Sequence, residues 1–127
     1  MPREAISTSG APAAIGPYSQ AILIDGFLFC SGSLGMDPAS GQLAEGVEAQ
    51  AERAMLNIEA ILKAAGMTTS DIVKTTIFLV DLANFAAVNT VYASHVPTPP
   101  PARSTIQVAG LPKGADVEIE VTARRAG

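Results

Sequence analysis

The sequence predicts an α+β fold, a mixed sheet with two helices packed on one face. Three observations carry this. Apolar residues recur at three- and four-residue steps in "GVEAQAERAMLNIEAILKAAGM", the mark of an amphipathic helix. A β-branched run, "DIVKTTIFLVD", follows it and reads as a central strand. Segments of strand character lie at both ends of the chain, so the order is strands, helix, strand, helix, strands.

The first strands come from "AILIDGFLFCSG", where Asp25-Gly26 is a strong hairpin signal. "MDPASGQL" is a turn, with φ fixed at Pro38 and free to be positive at Gly41. In the first helix Val47, Ala51, Ala54, Met55, Ile58, Ile61, Leu62 and Ala65 form the apolar stripe, and Gly66 is a natural stop. A second helix is expected from an N-cap at Asn84, burying Phe85, Val88 and either Val91 or Tyr92. The chain is expected to close with an antiparallel hairpin turning at Pro112-Lys113.

The 127 residues fit one domain, 1–127, and 48% are apolar, enough for a core without staples. A formal charge of −4 offers no field for nucleic acid or an anionic membrane. Cys30 is the only cysteine, which excludes an intrachain disulfide and fits a reducing compartment. The N-terminus lacks the apolar centre of a secretory signal, and no apolar run is long enough to span a bilayer. A soluble, cytoplasmic protein is the expectation.

Alternation along the last two strands groups Arg103, Thr105 and Gln107 on one face, with Ser104, Ile106 and Val108 opposite. Glu118 and Glu120 likewise alternate with Val117, Ile119 and Val121. If the apolar sets lie under the helices, the polar sets share the far face. A hairpin would then put Glu118 opposite Gln107 and Arg103 opposite Thr122, with Arg103 and Glu118 about 13 Å apart. That is too far for direct pairing, so Arg103 of one subunit is expected to meet Glu118 of a neighbour. Taken by itself the alternation fits a solvated face.

Four segments in order, "APAAIGPYSQA", "CSGSLGMDPASGQL", "IVKTTIFLVDLANFAAVNTVY" and "PPARSTIQVAGLPKGADVEIE", resemble the reactive-intermediate deaminase A (RidA), or YjgF-type, family across nearly the whole chain. The resemblance implies a chorismate-mutase-like fold and a homotrimer whose sheets form a central barrel, with sites between subunits. It also implies the activity of a 2-iminobutanoate/2-iminopropanoate deaminase. Reactive enamine or imine acids such as 2-aminoacrylate would be hydrolysed to 2-keto acids and ammonia. No metal or organic cofactor is implied.

Through the same resemblance Arg103 matches the arginine that binds the substrate carboxylate, a task suited to a planar guanidinium. Glu118 matches a glutamate that positions or activates water. Tyr18 matches a pocket tyrosine able to hold water or the leaving nitrogen; a core position is its alternative. Ser31, Gly32 and Asn89 match pocket positions, and Thr105 stands where many members carry cysteine. Ser33 departs similarly from the common "SGQ", and "VYASHV" lacks an aromatic often found there. These departures bear on pocket volume and polarity.

Two rivals follow from other classes: a non-catalytic trimer that binds small keto acids for regulation, and an endoribonuclease, disfavoured by the acidic balance and lone histidine. His95 has no ligand cluster in the sequence and fits a surface or helix-end position. Cys30 fits a small core residue.

Overall fold

The computed structural model describes residues 2–126. Its strands are β1 (Glu4–Ile6), β2 (Ala21–Ile24), β3 (Phe27–Cys30), β4 (Ser33–Leu34), β5 (Ile72–Leu79), β6 (Ala102–Gln107) and β7 (Val117–Arg124). The helices are α1 (Val47–Ala64) and α2 (Phe85–Ala93). All strands join one mixed sheet in the order β1-β2-β3-β7-β5-β6, with β4 also paired to β7.

The β2–β3 hairpin turns at Asp25 (φ 52°) and Gly26 (φ 80°). Two successive positive φ angles match the right-handed twist of the flanking strands. At the next turn Asp37 Oδ1 accepts from the N–H groups of Ala39 and Ser40, at 2.8 and 2.9 Å.

Helix α1 buries Ala51, Ala54, Met55, Ile58, Ile61 and Leu62 along its stripe. They meet Leu28, Ile77, Leu79, Val117 and Ile119 from the sheet, all essentially inaccessible. Each large side chain of this kind contributes about 1.5–3 kcal/mol through burial. Helix and sheet close up most tightly at Gly35, where a Cβ would lie 2.4 Å from the Gln50 backbone. The stripe also contains two buried polar residues, Gln50 and Asn57. Asn57 Nδ2 donates to the Leu34 and Met36 carbonyls. Gln50 accepts from the Asp116 N–H and donates to its carboxylate.

The expected closing hairpin is absent. Strand β6 pairs parallel with β5, and β7 pairs antiparallel with β5 from its other side. Strand β5, helix α2 and strand β6 form a crossover unit, which makes parallel neighbours. Residues 108–116 then carry the chain across the end of β5, a longer path than a tight hairpin turn.

The pleat follows the new pairing. Thr75, Ile77 and Leu79 of β5 stand beside Arg103, Thr105 and Gln107 of β6. Those three β6 residues therefore lie on the helix side, and Ile106 projects from the far face, 44% exposed. The expected placement of the β6 residues is inverted, because parallel pairing with a half-buried strand shifts every side chain to the other face. The α2 expectation needs two smaller corrections. Phe85 is 38% exposed, while Val88 and Tyr92 are buried. Asn84 holds the N-cap position but makes no capping bond; Asp81 Oδ1 instead accepts from the Ala83 N–H one turn earlier.

Candidate functional site

The predicted site residues fall into two groups on opposite faces of the sheet. The first surrounds Arg103 on the helix side of edge strand β6. Its Nη1 donates to Asn89 Oδ1 at 2.6 Å. Its guanidinium carbon lies 5.3 Å from the Phe85 ring centroid and 5.2 Å from that of Tyr92. Both rings are within range of a cation–π attraction. All three neighbours lie along α2, at spacings of four and three residues, so the helix presents them on one side. The guanidinium borders a cavity of about 370 Å³, walled also by Asn89, Tyr92, Pro100 and Pro101. Among the described residues no acidic side chain lies within ion-pairing distance of it. Thr105 lies two residues further along the same face, but it lines neither cavity. Its buried hydroxyl has no partner among the described residues.

The second group surrounds Glu118 on β7. A cavity of about 750 Å³ brings it together with Tyr18, Ser31, Gly32 and Lys113. Burial, and then the charge of Glu120, push the Glu118 carboxyl above the usual carboxylate range. A carboxylate shifted this way is a stronger base toward water than an ordinary surface glutamate. Gly32 gives it room, because a Cβ there would lie 2.6 Å from Glu118 Oε2.

The Ser31 hydroxyl donates to the Ser19 carbonyl at 2.6 Å, and its N–H donates to the Gln20 carbonyl at 3.0 Å. Its only proton is thus directed into the protein, which leaves its oxygen able to accept from a ligand. Tyr18 is 53% exposed, and the Ile15 N–H lies 3.4 Å from its hydroxyl oxygen.

The segment preceding Tyr18 has little secondary structure, and Gln20 secures it. Gln20 Oε1 accepts from the Thr8 N–H, and Nε2 donates to the carbonyls of Thr8, Ala11 and Pro12. The sequence reading missed this residue, along with Asn57, Phe85, Tyr92 and Lys113 as neighbours of the site, and Gln50, outside both cavities, as a buried tie to Asp116. Gln50 and Asn57 left a signal, being polar residues at helical spacing from the apolar stripe. Gln20 left none, since its partners are backbone groups of an irregular loop.

Two other titratable residues stand apart. Burial pushes the Cys30 thiol up to about 12, so it is held as the inert thiol. His95, just beyond α2, contacts Glu52 through Nε2 and Glu59 through Nδ1, each at 2.7 Å.

A family model described as Endoribonuclease L-PSP matches residues 8–125. The chain belongs to the RidA, or YjgF-type, family. A RidA-family relative from Capra hircus, named 2-iminobutanoate/2-iminopropanoate deaminase, is 55% identical over 95% of this chain and 89% of its own. The solved structure of RidA from Psychrobacter sp. is 46% identical with a TM-score of 0.93, covering 95% of this chain and 98% of that one. Escherichia coli TdcF, solved with bound serine, is 40% identical with a TM-score of 0.91, covering 97% and 99% of the two chains. The α+β architecture is therefore the RidA-family fold.

Proposed function

We propose that this chain is a cofactor-free deaminase that hydrolyses reactive 2-enamine and 2-imine acids to 2-keto acids and ammonia. One observation carries the reading. Arg103 with Asn89, suited to binding a carboxylate, and Glu118 with Tyr18, suited to activating water, line separate cavities, Arg103 from the helix side of the sheet and Glu118 from the other. Neither cavity contains both halves, so a complete site needs two copies of the chain. Two copies are what the cavities ask for; the resemblance to the RidA family adds the form of the assembly, a homotrimer with intersubunit sites and sheets facing a central barrel. The uncovered sheet face supports this. Phe27, Phe29 and Ile106 are exposed there at 36%, 49% and 44%. Such a face favours a second copy over solvent.

The chemistry follows from the groups. The substrate's carboxylate takes two parallel N–H bonds from Arg103. This turns the adjacent C=N carbon toward the neighbouring subunit's cavity. Glu118 accepts a proton from water as its oxygen bonds to that carbon, and the imine nitrogen gains a proton. The carbinolamine then loses ammonia, leaving the 2-keto acid; the overall balance is imine plus water to keto acid plus ammonia. In this scheme Ser31 Oγ accepts a bond from substrate or water, Gly32 gives access, and Tyr18 holds water or the leaving nitrogen; Thr105, which lines neither cavity, has no contact with the substrate.

Goat and other relatives carry the imine deaminase name at about this chain's own length, which supports the same activity here. The −4 charge offers no field for nucleic acid or an anionic membrane, so a small anionic metabolite depends on the local cation Arg103, and the single cysteine fits the cytoplasm. Among the described residues no helix is long and apolar enough to cross a membrane.

The test generates 2-aminoacrylate in situ with a serine dehydratase and follows pyruvate release. Wild type should accelerate it, and Arg103→Ala should not. Equal rates with and without the protein would refute the hydrolase. If keto acids still bound saturably, the regulatory, keto-acid-binding trimer would replace it.

A further inference from the structure

Arg103 lies on an exposed edge strand, where a long side chain ordinarily samples many rotamers. A carboxylate fork needs one of them held. Asn89 takes a single N–H of the guanidinium, which leaves a pivot about that bond. What restrains the pivot is a second contact, with its own support beneath it.

We infer that Tyr92 is a positioning residue for Arg103, holding the guanidinium against its ring face while Thr75 fixes the ring. The inference rests on the carboxylate-binding reading of Arg103. Tyr92 and Thr75 are 4% and 1% exposed, and their hydroxyls share a buried hydrogen bond of 2.8 Å. That bond tethers the end of the ring to β5. Thr75 is also the direct ladder partner of Arg103. Tether and arginine thus sit at the same level on neighbouring strands, with the ring spanning them. The guanidinium carbon stands 5.2 Å from the ring centroid. Phe85 contacts it at 5.3 Å but is 38% exposed, so it closes the bracket from a less restrained position. Asn89 fixes where the guanidinium begins and Tyr92 fixes its tilt. Its remaining N–H donors are then free for a ligand carboxylate in the cavity that Tyr92 and Arg103 both line.

Replacement of the ring should weaken ground-state and transition-state binding alike, so the loss belongs in KM. Tyr92→Leu should raise KM for the imine about 3–10-fold, with kcat within about twofold. Tyr92→Phe keeps the ring but loses its tether, and should raise KM only about twofold. The second readout needs no substrate. In ¹⁵N-labelled protein the Arg103 Nε–Hε signal should be resolved and slowly exchanging in wild type. It should move toward the free-arginine position in Tyr92→Phe, and further in Tyr92→Leu. A graded order in both readouts supports the inference. An Arg103 signal unchanged in the variants, or a loss confined to kcat, overturns it. If Tyr92→Leu does not fold, Tyr92→Phe decides on the same criteria. If wild-type protein shows no imine hydrolysis the deaminase reading fails, and the Arg103 signal still tests the positioning role.

Discussion

Replacing Gly32 with alanine should separate the needs of the fold from those of the site. The backbone at Gly32 is not in the left-handed region, so alanine can adopt it without strain. The added Cβ would lie 2.6 Å from Glu118 Oε2 and 2.8 Å from its Cδ, where ordinary contact begins at 3.4 Å. The carboxylate oxygen must therefore retreat by about 0.8 Å. It is the far end of a flexible side chain, so the fold can accommodate this cheaply. The unfolded chain loses freedom on the same substitution, worth about 0.4–1 kcal/mol in favour of the folded state. The melting temperature should be unchanged or a few degrees higher. The reaction has no such tolerance, since misplacing a catalytic group by about 1 Å costs roughly 10²-fold. The assay is pyruvate release from 2-aminoacrylate, paired with a thermal melt of the same preparation. Wild-type turnover in a stably folded Gly32→Ala protein would refute the placement of Glu118 as the water-activating group. A collapsed melting temperature would refute the claim that Gly32 serves the site and not the fold.

Further predictions concern charge. Glu118 binds its proton more tightly in the folded chain than in the unfolded one, because of burial and then Glu120. Its ionisation therefore costs stability, absent at acid pH and growing as pH rises from about 4.3 through the raised folded pKa. Glu118→Gln should melt higher than wild type at pH 7, converge with it in acid, and lose about 10²–10⁴-fold in kcat. An equal or lower melt at pH 7 would contradict the burial argument. At His95, burial pulls the pKa down, but the hydrogen bonds and charges of Glu52 and Glu59 outweigh it and raise it. A neutral ring can donate from one nitrogen only, so both 2.7 Å contacts need the imidazolium. The clamp's stabilisation is then complete below about pH 6.5 and is lost as pH rises through the raised folded pKa. Both glutamates are partly exposed, which limits the effect to about 1 kcal/mol or less. Melts of wild type and His95→Gln should differ by a few degrees at pH 6 and converge in the alkaline range; a pH-independent gap would contradict the double bond.

Much of the fold was legible because its signals were local. The α1 stripe, the Asp25-Gly26 turn and the β-branched β5 each act within a few residues, and each stands where its pattern predicts. The pairing of β6 depended on a longer-range fact. The order β5, α2, β6 was visible and makes a parallel crossover, but the two terminal strand patterns around Pro112-Lys113 suggested a hairpin. Strand alternation fixes which residues share a face, not which face meets the helices, so one wrong neighbour inverted Arg103, Thr105 and Gln107. The site residues themselves came from motif order rather than periodicity. The cavities gather Tyr18, Ser31, Gly32 and Glu118 in one place, and Asn89 with Arg103 in another. Thr105 joins neither. Tyr92 was readable only as one of two alternatives, with Val91, for a buried helix residue; its contact with Arg103 depends on the register of two strands and a helix.

Complementation between two inactive variants tests the shared site most directly. Arg103→Ala and Glu118→Gln each lack one half and should be inactive alone. Co-expressed in equal amounts, they should, on the proposed trimer, assemble sites that draw Arg103 from one copy and Glu118 from its neighbour. A random trimer restores both halves in about one quarter of its sites, so about one quarter of wild-type imine hydrolysis should return. Mixed trimers of confirmed composition with no activity above the separate variants would contradict a site built across two copies.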